Sequence, residues 1–275
     1  MMFSKFASKV SLGRARLTTR LPVSRSFSSQ PVNFDDDTTS TGYADEATMR
    51  YDLAVAHRLT ADHSADMLVW NHISARFQDG CLITPGNKLW KHMRPEDMVF
   101  SSHNVTADLI HSAIYAADKD VGAILHWHTP AATAVSCLPQ GFVPMTQDAA
   151  YFYQRVARYP WDGISDDPAE IPKLMAAVQA AKQQQQPDGS TNNNTLLLEH
   201  HGFVCYGKSV PEVFVLAYYF ERACEIQLRL MAACGGTLPP PPPVHVMEEA
   251  AKTSFKEEFS PGFAEWEALC EDFKF

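Results

Sequence analysis

Hydrophobic positions recur with helical spacing in three long stretches of the chain. The first covers about residues 44–59. The second covers residues 105–117, where apolar side chains stand three or four positions apart until Asp118 ends the pattern. The third follows Ser209-Val210-Pro211-Glu212, a capping box with proline in the first turn, and it stops at Gly235-Gly236. We therefore predict three helices, the last of them roughly 24 residues long.

Shorter apolar runs predict strands between these helices. A run within residues 67–76 and a second run over 80–86 are separated by a glycine turn, which indicates a β-hairpin. The remaining predicted elements are a strand over 121–128, a short helix over 131–138, a strand over 195–199 and a turn at Gly202. Strands and helices thus alternate, which favours an α/β domain.

The same pattern sets the domain boundaries. We predict one domain over 44–237, interrupted at 183–194 by a stretch rich in Gln and Asn that is typical of a mobile surface loop. Residues 238–275 form a polyproline linker and an acidic tail with spaced aromatic side chains, a candidate for docking on a neighbouring subunit. The phosphate-binding patterns G-x-x-x-x-G-K-[ST] and G-x-G-x-x-G do not occur in the sequence, which disfavours the usual nucleotide-binding folds.

Composition narrows the classes of function. The 275 residues include 23 Lys and Arg against 32 Asp and Glu, a formal charge of −9. This acidic balance argues against a protein that binds nucleic acid or anionic membranes. No uncharged apolar run reaches the roughly 18 residues of a membrane span. The six cysteines stand singly, so we predict no disulfide and no thiolate zinc site.

The basic residues are concentrated at the N-terminus. Residues 1–34 contain six Lys and Arg, seven serines and no acid, which is typical of an organellar transit peptide. We predict a mitochondrial transit peptide over 1–30, a matrix location and a disordered linker over 31–43. A basic tail that is never cleaved is the alternative, with a cytoplasmic or cytoskeletal location. The rest of the chain carries 17 basic and 32 acidic residues, a charge of −15.

Histidines at strand ends supply the candidate chemistry. In His126-Trp127-His128 the two imidazoles alternate along a strand and so point to one face. In His200-His201 adjacent side chains point to opposite faces, so only one of them can join the pair. Three imidazoles around Zn²⁺ leave a fourth position open, as in catalytic sites. Hydrogen-bonded structural histidines remain the alternative on spacing alone.

The surrounding residues resemble the class II aldolase and adducin head domain family over about residues 45–235. The matching segments, in order, are Trp70-Asn71-His72-Ile73-Ser74-Ala75-Arg76, Leu82-Ile83-Thr84-Pro85, Ile110-His111-Ser112-Ala113-Ile114-Tyr115, His126-Trp127-His128-Thr129, Pro144-Met145-Thr146-Gln147, Leu198-Glu199-His200-His201-Gly202 and Glu221-Arg222-Ala223-Cys224-Glu225-Ile226-Gln227. This resemblance implies a three-layer α/β/α sandwich around a mixed, mainly antiparallel sheet, assembled as a homotetramer with its active site at a subunit boundary. It also implies one Zn²⁺ per chain on His126, His128 and His201.

One departure from the family pattern affects the reaction. The family's sugar-phosphate aldolases have a glutamate as base four residues before the histidine that is His111 here, and that position is Ala107. Asp108 is adjacent, but one helical step turns a side chain away by about 100°. The phosphate-binding residues also differ, which places the chain nearer the adducin-like branch.

Several polar residues remain candidates around a substrate. The catalytic candidates are His72, Gln147 and His111, and for His111 a structural role is the stronger alternative. The substrate-binding candidates are Asn71, His72, Thr84, Gly86 and Gln147.

Three hypotheses follow. The first is a zinc-dependent carbon–carbon lyase that acts on a small hydroxy- or oxo-acid or a related carbonyl compound, by decarboxylation or by aldol-type cleavage through a zinc-stabilised enolate. Decarboxylation needs an electron sink more than a strong base, so it tolerates Ala107. The second is a non-catalytic, adducin-like scaffold that binds actin, although the acidic tail disfavours it. The third is a structural zinc or a ligand site without turnover.

Overall fold

The computed structural model describes residues 43, 45–78, 80–164, 166–183, 193–273 and 275. The predicted transit peptide lies outside these residues, as do the linker apart from residue 43 and the predicted loop apart from 183, 193 and 194. All described residues belong to one compact unit within 32–275. In this part of the chain, none of the helices combines the length and apolar character needed to cross a membrane.

Helices and strands alternate through the first two thirds of the described chain, and helices follow. In chain order the elements are α1 (Glu46–Asp62), β1 (His72–Phe77), β2 (Gly80–Ile83), α2 (Val105–Ala117), β3 (Ala123–Trp127), α3 (Pro130–Ser136), β4 (Val156–Tyr159), α4 (Ile171–Lys182), β5 (Thr195–Leu198), β6 (Gly202–Gly207), α5 (Val210–Ala233), α6 (Val244–Ser254) and α7 (Glu265–Cys270). Short 3-10 turns lie at Trp90–His92, Pro95–Asp97, Asp148–Phe152, Pro168–Glu170 and Glu257–Phe259.

The strands form one mixed sheet in the order β2-β1-β3-β6-β5-β4. Only β4 and β5 pair in parallel, and every other neighbouring pair is antiparallel. In the central pairs His72 stands opposite His126, and His126 stands opposite Val204. The mixed, mainly antiparallel sheet that the resemblance implies is therefore confirmed.

Helices cover both faces of this sheet. On one face α2 and α4 pack through Ile110, Ala113, Leu174 and Val178 against a buried cluster that includes strand residues such as Ile124. On the other face α1, α3 and α5 share a second core with the remaining inward side chains of the strands. The chain thus has the three-layer α/β/α architecture.

Local signals explain where the site-bearing elements begin. Asn104 caps α2, because its side-chain oxygen accepts from the amide of Ala107 at 3.3 Å. Helix α3 starts with Pro130, and its first amides are bound by a carboxylate from another helix: Glu221 of α5 accepts from the amides of Ala131 and Ala132 at 3.0 and 2.9 Å. The Thr129 hydroxyl donates to the same carboxylate at 2.6 Å. This contact fixes the segment after β3.

The C-terminal residues pack against their own chain. The indole N–H of Trp266 donates to Asp52 Oδ1 at 3.1 Å, and the Tyr51 hydroxyl donates to the Phe273 carbonyl at 3.0 Å. The guanidinium of Arg58 lies 4.4 Å from the centre of the Phe275 ring. The tail therefore packs on α1 of its own chain. Its docking on a neighbouring subunit stays a prediction.

Candidate metal centre

Three histidines meet where β3 and β6 lie side by side. His126 is in β3, His128 follows it directly, and His201 is in the turn between β5 and β6. One nitrogen from each ring lies within 4.8 Å of the others. We call these three residues the three-histidine centre. Gly202 permits this close approach, because a Cβ there would lie 2.5 Å from the carbonyl oxygen of Trp127.

Hydrogen bonding fixes which nitrogen of His126 faces the centre. Its Nδ1–H donates to the carbonyl of Phe203 at 2.8 Å, so its Nε2 carries the lone pair. That Nε2 lies 2.6 Å from Nε2 of His128. Two imidazole nitrogens this close need a proton or a cation between them. The donor set therefore fits a zinc ion, which binds neutral imidazoles and takes three protein ligands in catalytic sites.

The surroundings keep these imidazoles neutral. Burial and the neighbouring imidazoles hold the pKa of His126 well below its usual value, and burial lowers the pKa of His128 to about 4. Burial also lowers the pKa of His201, against the attraction of Glu170. Neutral rings are the state that a metal ion requires. His126 is fully buried, whereas His128 and His201 are partly exposed, so a small molecule can reach the centre from their side.

Asn71 holds the segment that carries His128. Its side-chain oxygen accepts from the amide of His128 at 3.3 Å, and its Nδ2 donates to the carbonyl of Ala65 at 2.8 Å. Asn71 is buried, and through this bond it positions the backbone of His128, a candidate metal ligand. Its predicted contact with substrate stays a prediction. His200 points elsewhere: it is exposed in a left-handed turn, φ 57°, with its ring 6.0 Å from that of Trp161.

Two of the catalytic candidates lie beside the centre. The ring of His72 is 4.6 Å from that of His126, as their pairing in the sheet requires. Nδ1 of His72 lies 2.7 Å from Nε2 of His111, which reaches over from α2. Nδ1 of His111 is 2.5 Å from the Ser74 hydroxyl, and that oxygen is 2.8 Å from the Tyr115 hydroxyl. All four polar groups belong to buried residues.

The other substrate-binding candidates have no hydrogen bond to the three-histidine centre among the described residues. The Thr84 hydroxyl is buried, accepts from the amide of Ile73 and lies 2.8 Å from Nε2 of His57. Gly86 turns with φ +75° beside Asn104. Gln147 is exposed, and within the described residues no hydrogen bond joins it to a histidine. Their predicted roles in binding substrate stay predictions.

The position at which the family's sugar-phosphate aldolases have their glutamate base is buried here. Ala107 is fully buried in the first turn of α2. The Asp108 carboxylate accepts from the hydroxyl and the amide of Ser102, at 2.8 and 3.3 Å, and so serves the loop before α2.

A carboxylate that the sequence analysis missed lies near the centre. Glu170 lines a narrow slot that His201 and Trp161 also line. The hydroxyl of Tyr159 donates to its Oε1 at 3.2 Å. No motif marks this position, because Glu170 reaches the slot from a 3-10 turn about 30 residues before His201 in the sequence.

Solved structures share this architecture. An aldolase II superfamily protein from Pseudomonas syringae superposes with a TM-score of 0.71 at 27% identity, over 84% of this chain and 93% of that one. L-fuculose 1-phosphate aldolase from Glaciozyma antarctica superposes with a TM-score of 0.66 at 21% identity, over 86% and 92% of the two chains, and shows the shared fold.

Curated relatives include both bacterial aldolase-like proteins and adducins. A Pseudomonas aeruginosa protein whose name places it among the class 2 aldolases is 30% identical over 207 residues. These residues cover 70% of this chain and 74% of that protein. Rat alpha-adducin is 31% identical over 226 residues, which cover 75% of this chain but only 29% of the adducin. The family model described as Class II Aldolase and Adducin N-terminal domain matches residues 51–228. The chain therefore belongs to the class II aldolase and adducin N-terminal domain family.

Proposed function

We propose that the protein is a metal-dependent carbon–carbon lyase that acts on a small hydroxy- or oxo-acid or a related carbonyl compound. The observation that carries this proposal is the convergence of three neutral imidazoles, His126, His128 and His201, on one partly exposed point. These residues would hold one zinc ion per chain. Three protein ligands leave a position for a substrate oxygen, whereas structural zinc sites usually have four.

The residues around the centre favour decarboxylation or another cleavage that needs no strong base at position 107. A bound zinc ion supplies a Lewis acid that draws electron density from a substrate carbonyl. Phe203 orients the ring of His126, and Asn71 binds the backbone amide of His128, so the His126 ring and the segment that carries His128 are held in place before a ligand arrives. The buried methyl group of Ala107 leaves no carboxylate at the family's base position. The aldolase names among the relatives support a lyase.

Metal analysis of the full chain tests the centre. We expect about one zinc per chain in the wild type and a loss of most of it in His126→Ala, because one of three ligands is removed. His200→Ala is the matched control, since this neighbouring histidine is exposed and turned away. A wild type without zinc, or a His126→Ala variant that retains it, would contradict the assignment.

Activity requires a separate screen. Zinc-loaded protein is incubated with a panel of oxo-acids, hydroxy-acids and aldol compounds, and release of CO₂ or of an aldehyde is measured. We expect turnover on at least one oxo- or hydroxy-acid, with loss of turnover in His126→Ala. Zinc-loaded protein that is inactive on the whole panel would reject the lyase.

A scaffold that binds actin is the second candidate, because alpha-adducin matches three quarters of this chain. The tail from 248 to 275 carries eight acids and three lysines, which disfavours binding to acidic actin filaments. Co-sedimentation with actin filaments distinguishes the two. Saturable binding by the full chain, together with an inactive substrate panel, would establish the scaffold.

We also propose import into the mitochondrial matrix through residues 1–30, which lie outside the described residues. The proposal rests on six basic and no acidic residues in 1–34. A fusion of residues 1–35 to a fluorescent protein should colocalise with mitochondria. Diffuse cytosolic fluorescence would leave the cytoplasmic or cytoskeletal alternative.

A further inference from the structure

We propose that Tyr115, Ser74 and His111 fix the tautomer of His72, so that His72 presents an Nε2–H to the three-histidine centre and donates a hydrogen bond to a substrate oxygen there. The donation to substrate rests on the proposed lyase function, whereas the tautomer itself does not depend on it. In this assignment His72 is a hydrogen-bond donor and not a metal ligand.

The four groups form one continuous chain of short contacts. The Tyr115 hydroxyl lies 2.8 Å from the Ser74 oxygen, which lies 2.5 Å from Nδ1 of His111. Nε2 of His111 lies 2.7 Å from Nδ1 of His72. Each of these residues is at most 2% exposed, so water has little access to the atoms that join them, from the Tyr115 hydroxyl to Nδ1 of His72. The hydrogen bonds of these joining atoms must therefore be satisfied within the protein.

Tyr115 sets the direction in which the hydrogen bonds of this series are donated. Burial raises the pKa of Tyr115 well above its usual value, so the hydroxyl keeps its proton. Among the described residues, Ser74 is the only hydrogen-bond partner of this hydroxyl, so Tyr115 donates to Ser74. The opposite direction would leave a buried O–H without an acceptor, which is unfavourable. Ser74 in turn has one remaining proton to give, and it donates this proton to Nδ1 of His111.

The direction then fixes both imidazoles. A neutral His111 that accepts at Nδ1 carries its proton on Nε2, and it donates that proton to Nδ1 of His72. His72 accepts at Nδ1 and so carries its own proton on Nε2. Among the described residues nothing accepts from this N–H, but Nε2 of His72 is not one of the buried polar atoms that lack a partner. Its ring lies against His126, 4.6 Å between ring centres, so this end of the hydrogen-bond chain is next to the centre and the tyrosine end is sealed.

The position of this N–H gives it a function. His72 shares one face of the sheet with His126, and the two stand opposite each other in neighbouring strands. A nitrogen that carries a proton has no lone pair for a metal, which agrees with a cluster of His126, His128 and His201 that leaves His72 out. A donor held in advance beside a reacting carbonyl or carboxylate stabilises negative charge that develops on its oxygen.

Nitrogen NMR of the full chain tests the tautomers without any metal. Protein labelled with ¹⁵N-histidine is examined by long-range ¹H–¹⁵N correlation, with signals assigned from His72→Gln and His111→Gln. We expect the Nε2–H pattern for both residues, and a mixture of tautomers in Tyr115→Phe, where the direction is no longer set. An Nδ1–H pattern for wild-type His72, or no change in Tyr115→Phe, would overturn the proposal.

Tyr206→Phe is the matched control. Tyr206 belongs to the same buried cluster as Tyr115, but its hydroxyl has no hydrogen-bond partner in the described residues. Removal of this hydroxyl should leave the histidine signals of the chain unchanged. The control thus separates the loss of a donor from the loss of a buried oxygen.

Oxalate binding tests the donor role. Oxalate carries two adjacent carboxylates, and its affinity for the zinc-loaded chain is measured by calorimetry. We expect Tyr115→Phe to bind oxalate about tenfold more weakly with zinc content unchanged, and Tyr206→Phe to bind as the wild type does. Equal affinity in all three proteins would overturn donation to the ligand. Failure to load zinc would contradict the proposed function, and the NMR result would still decide the tautomer.

Discussion

Single side chains decide what chemistry the centre can perform. Position 107 holds a buried alanine, so a carboxylate for proton transfer must come from elsewhere. Glu170 lines the same slot as His201 and is oriented by the Tyr159 hydroxyl. A carboxylate placed within reach of a substrate can serve as general acid or base, an effect typically worth about 10²–10⁴ in rate.

Glu170→Gln should therefore lower turnover of an active substrate by about 100-fold while the zinc content stays at the wild-type level. Steady-state kinetics and metal analysis of the same preparation check both statements. Glu96→Gln, at an exposed position outside the slot, serves as the control. Unchanged kinetics in Glu170→Gln would show that the carboxylate only supports Tyr159.

A buried histidine outside the centre makes stability depend on pH. His57 donates from Nδ1 to the carbonyl of Leu53 at 2.6 Å and accepts at Nε2 from Thr84 at 2.8 Å. Burial lowers its pKa from 6.5 to about 4. Between these values the unfolded chain binds a proton that the folded chain does not, so the free energy of unfolding falls as the pH falls. Above pH 6.5 the contribution of the neutral ring is complete.

His57→Gln should weaken this dependence. Between about pH 6 and 4.5 the free energy of unfolding of the wild type should fall more steeply than that of the variant, by about 1.4 kcal/mol per pH unit. Urea unfolding at a series of pH values measures the difference. His92→Gln, at an exposed position, should keep the wild-type slope. Parallel curves for wild type and His57→Gln would contradict the argument.

At the scale of elements, the sequence predicted the helices that local signals mark and missed elements whose position depends on long-range strand pairing. The sequence predicted α2 over 105–117 and placed the start and length of α5 within a residue, because capping residues and helical periodicity are local. Strand β4 and helix α4 were missed, since β4 is an edge strand that pairs in parallel with β5 after a long connection. Strand β6 was missed because the prediction ended at the turn before it.

The candidate site follows the same division. The pair His126 and His128 could be predicted from alternation along a strand, and the family resemblance separated His201 from His200. The series of hydrogen bonds from Tyr115 to His72 could not be predicted from the sequence. It depends on which residues of β1 and β3 stand opposite each other and on how α2 packs over them. Sequence alone contains neither the register nor the packing.

The contact of Glu221 in α5 with the start of α3 should contribute to the stability of the fold. Glu221 is 8% exposed and accepts from two backbone amides and the Thr129 hydroxyl, so a neutral amide loses charge-assisted hydrogen bonds. Glu221→Gln should lower the free energy of unfolding by about 1–3 kcal/mol, measured by urea unfolding at pH 7. Glu225→Gln, one turn later on α5, should cost less than about 0.5 kcal/mol. Equal stability of the two variants would contradict the role of Glu221.

At the scale of the whole molecule, the described residues include an exposed apolar group next to β1, the strand that carries His72. The helices enclose both faces of the sheet, and the tail covers α1. Yet Leu68 is 65% exposed and Trp70 58% exposed, immediately before Asn71 and His72. Exposed apolar groups of this kind are typical of contact surfaces between chains. The homotetramer that the family resemblance implies stays a prediction, and we expect this group to lie in one of its contacts.

Trp70→Glu should therefore shift the protein to a smaller species, because a charge would be buried at the contact. Size-exclusion chromatography with light scattering gives the mass of each species. Val246→Glu, on the exposed side of α6, should leave the mass unchanged. A wild type that is monomeric at micromolar concentration would contradict the expectation of an oligomer.

The carboxylate of Glu221 has a further consequence for the centre. His128 lies in a short connection whose beginning is paired within the sheet and whose end is bound to α5 through Thr129. A connection held at both ends has little conformational entropy left to lose when His128 takes up a ligand. The affinity of the centre for the proposed zinc ion should therefore depend in part on Glu221, which does not belong to the three-histidine centre. Glu221→Gln should speed the release of that ion as well as weaken the fold.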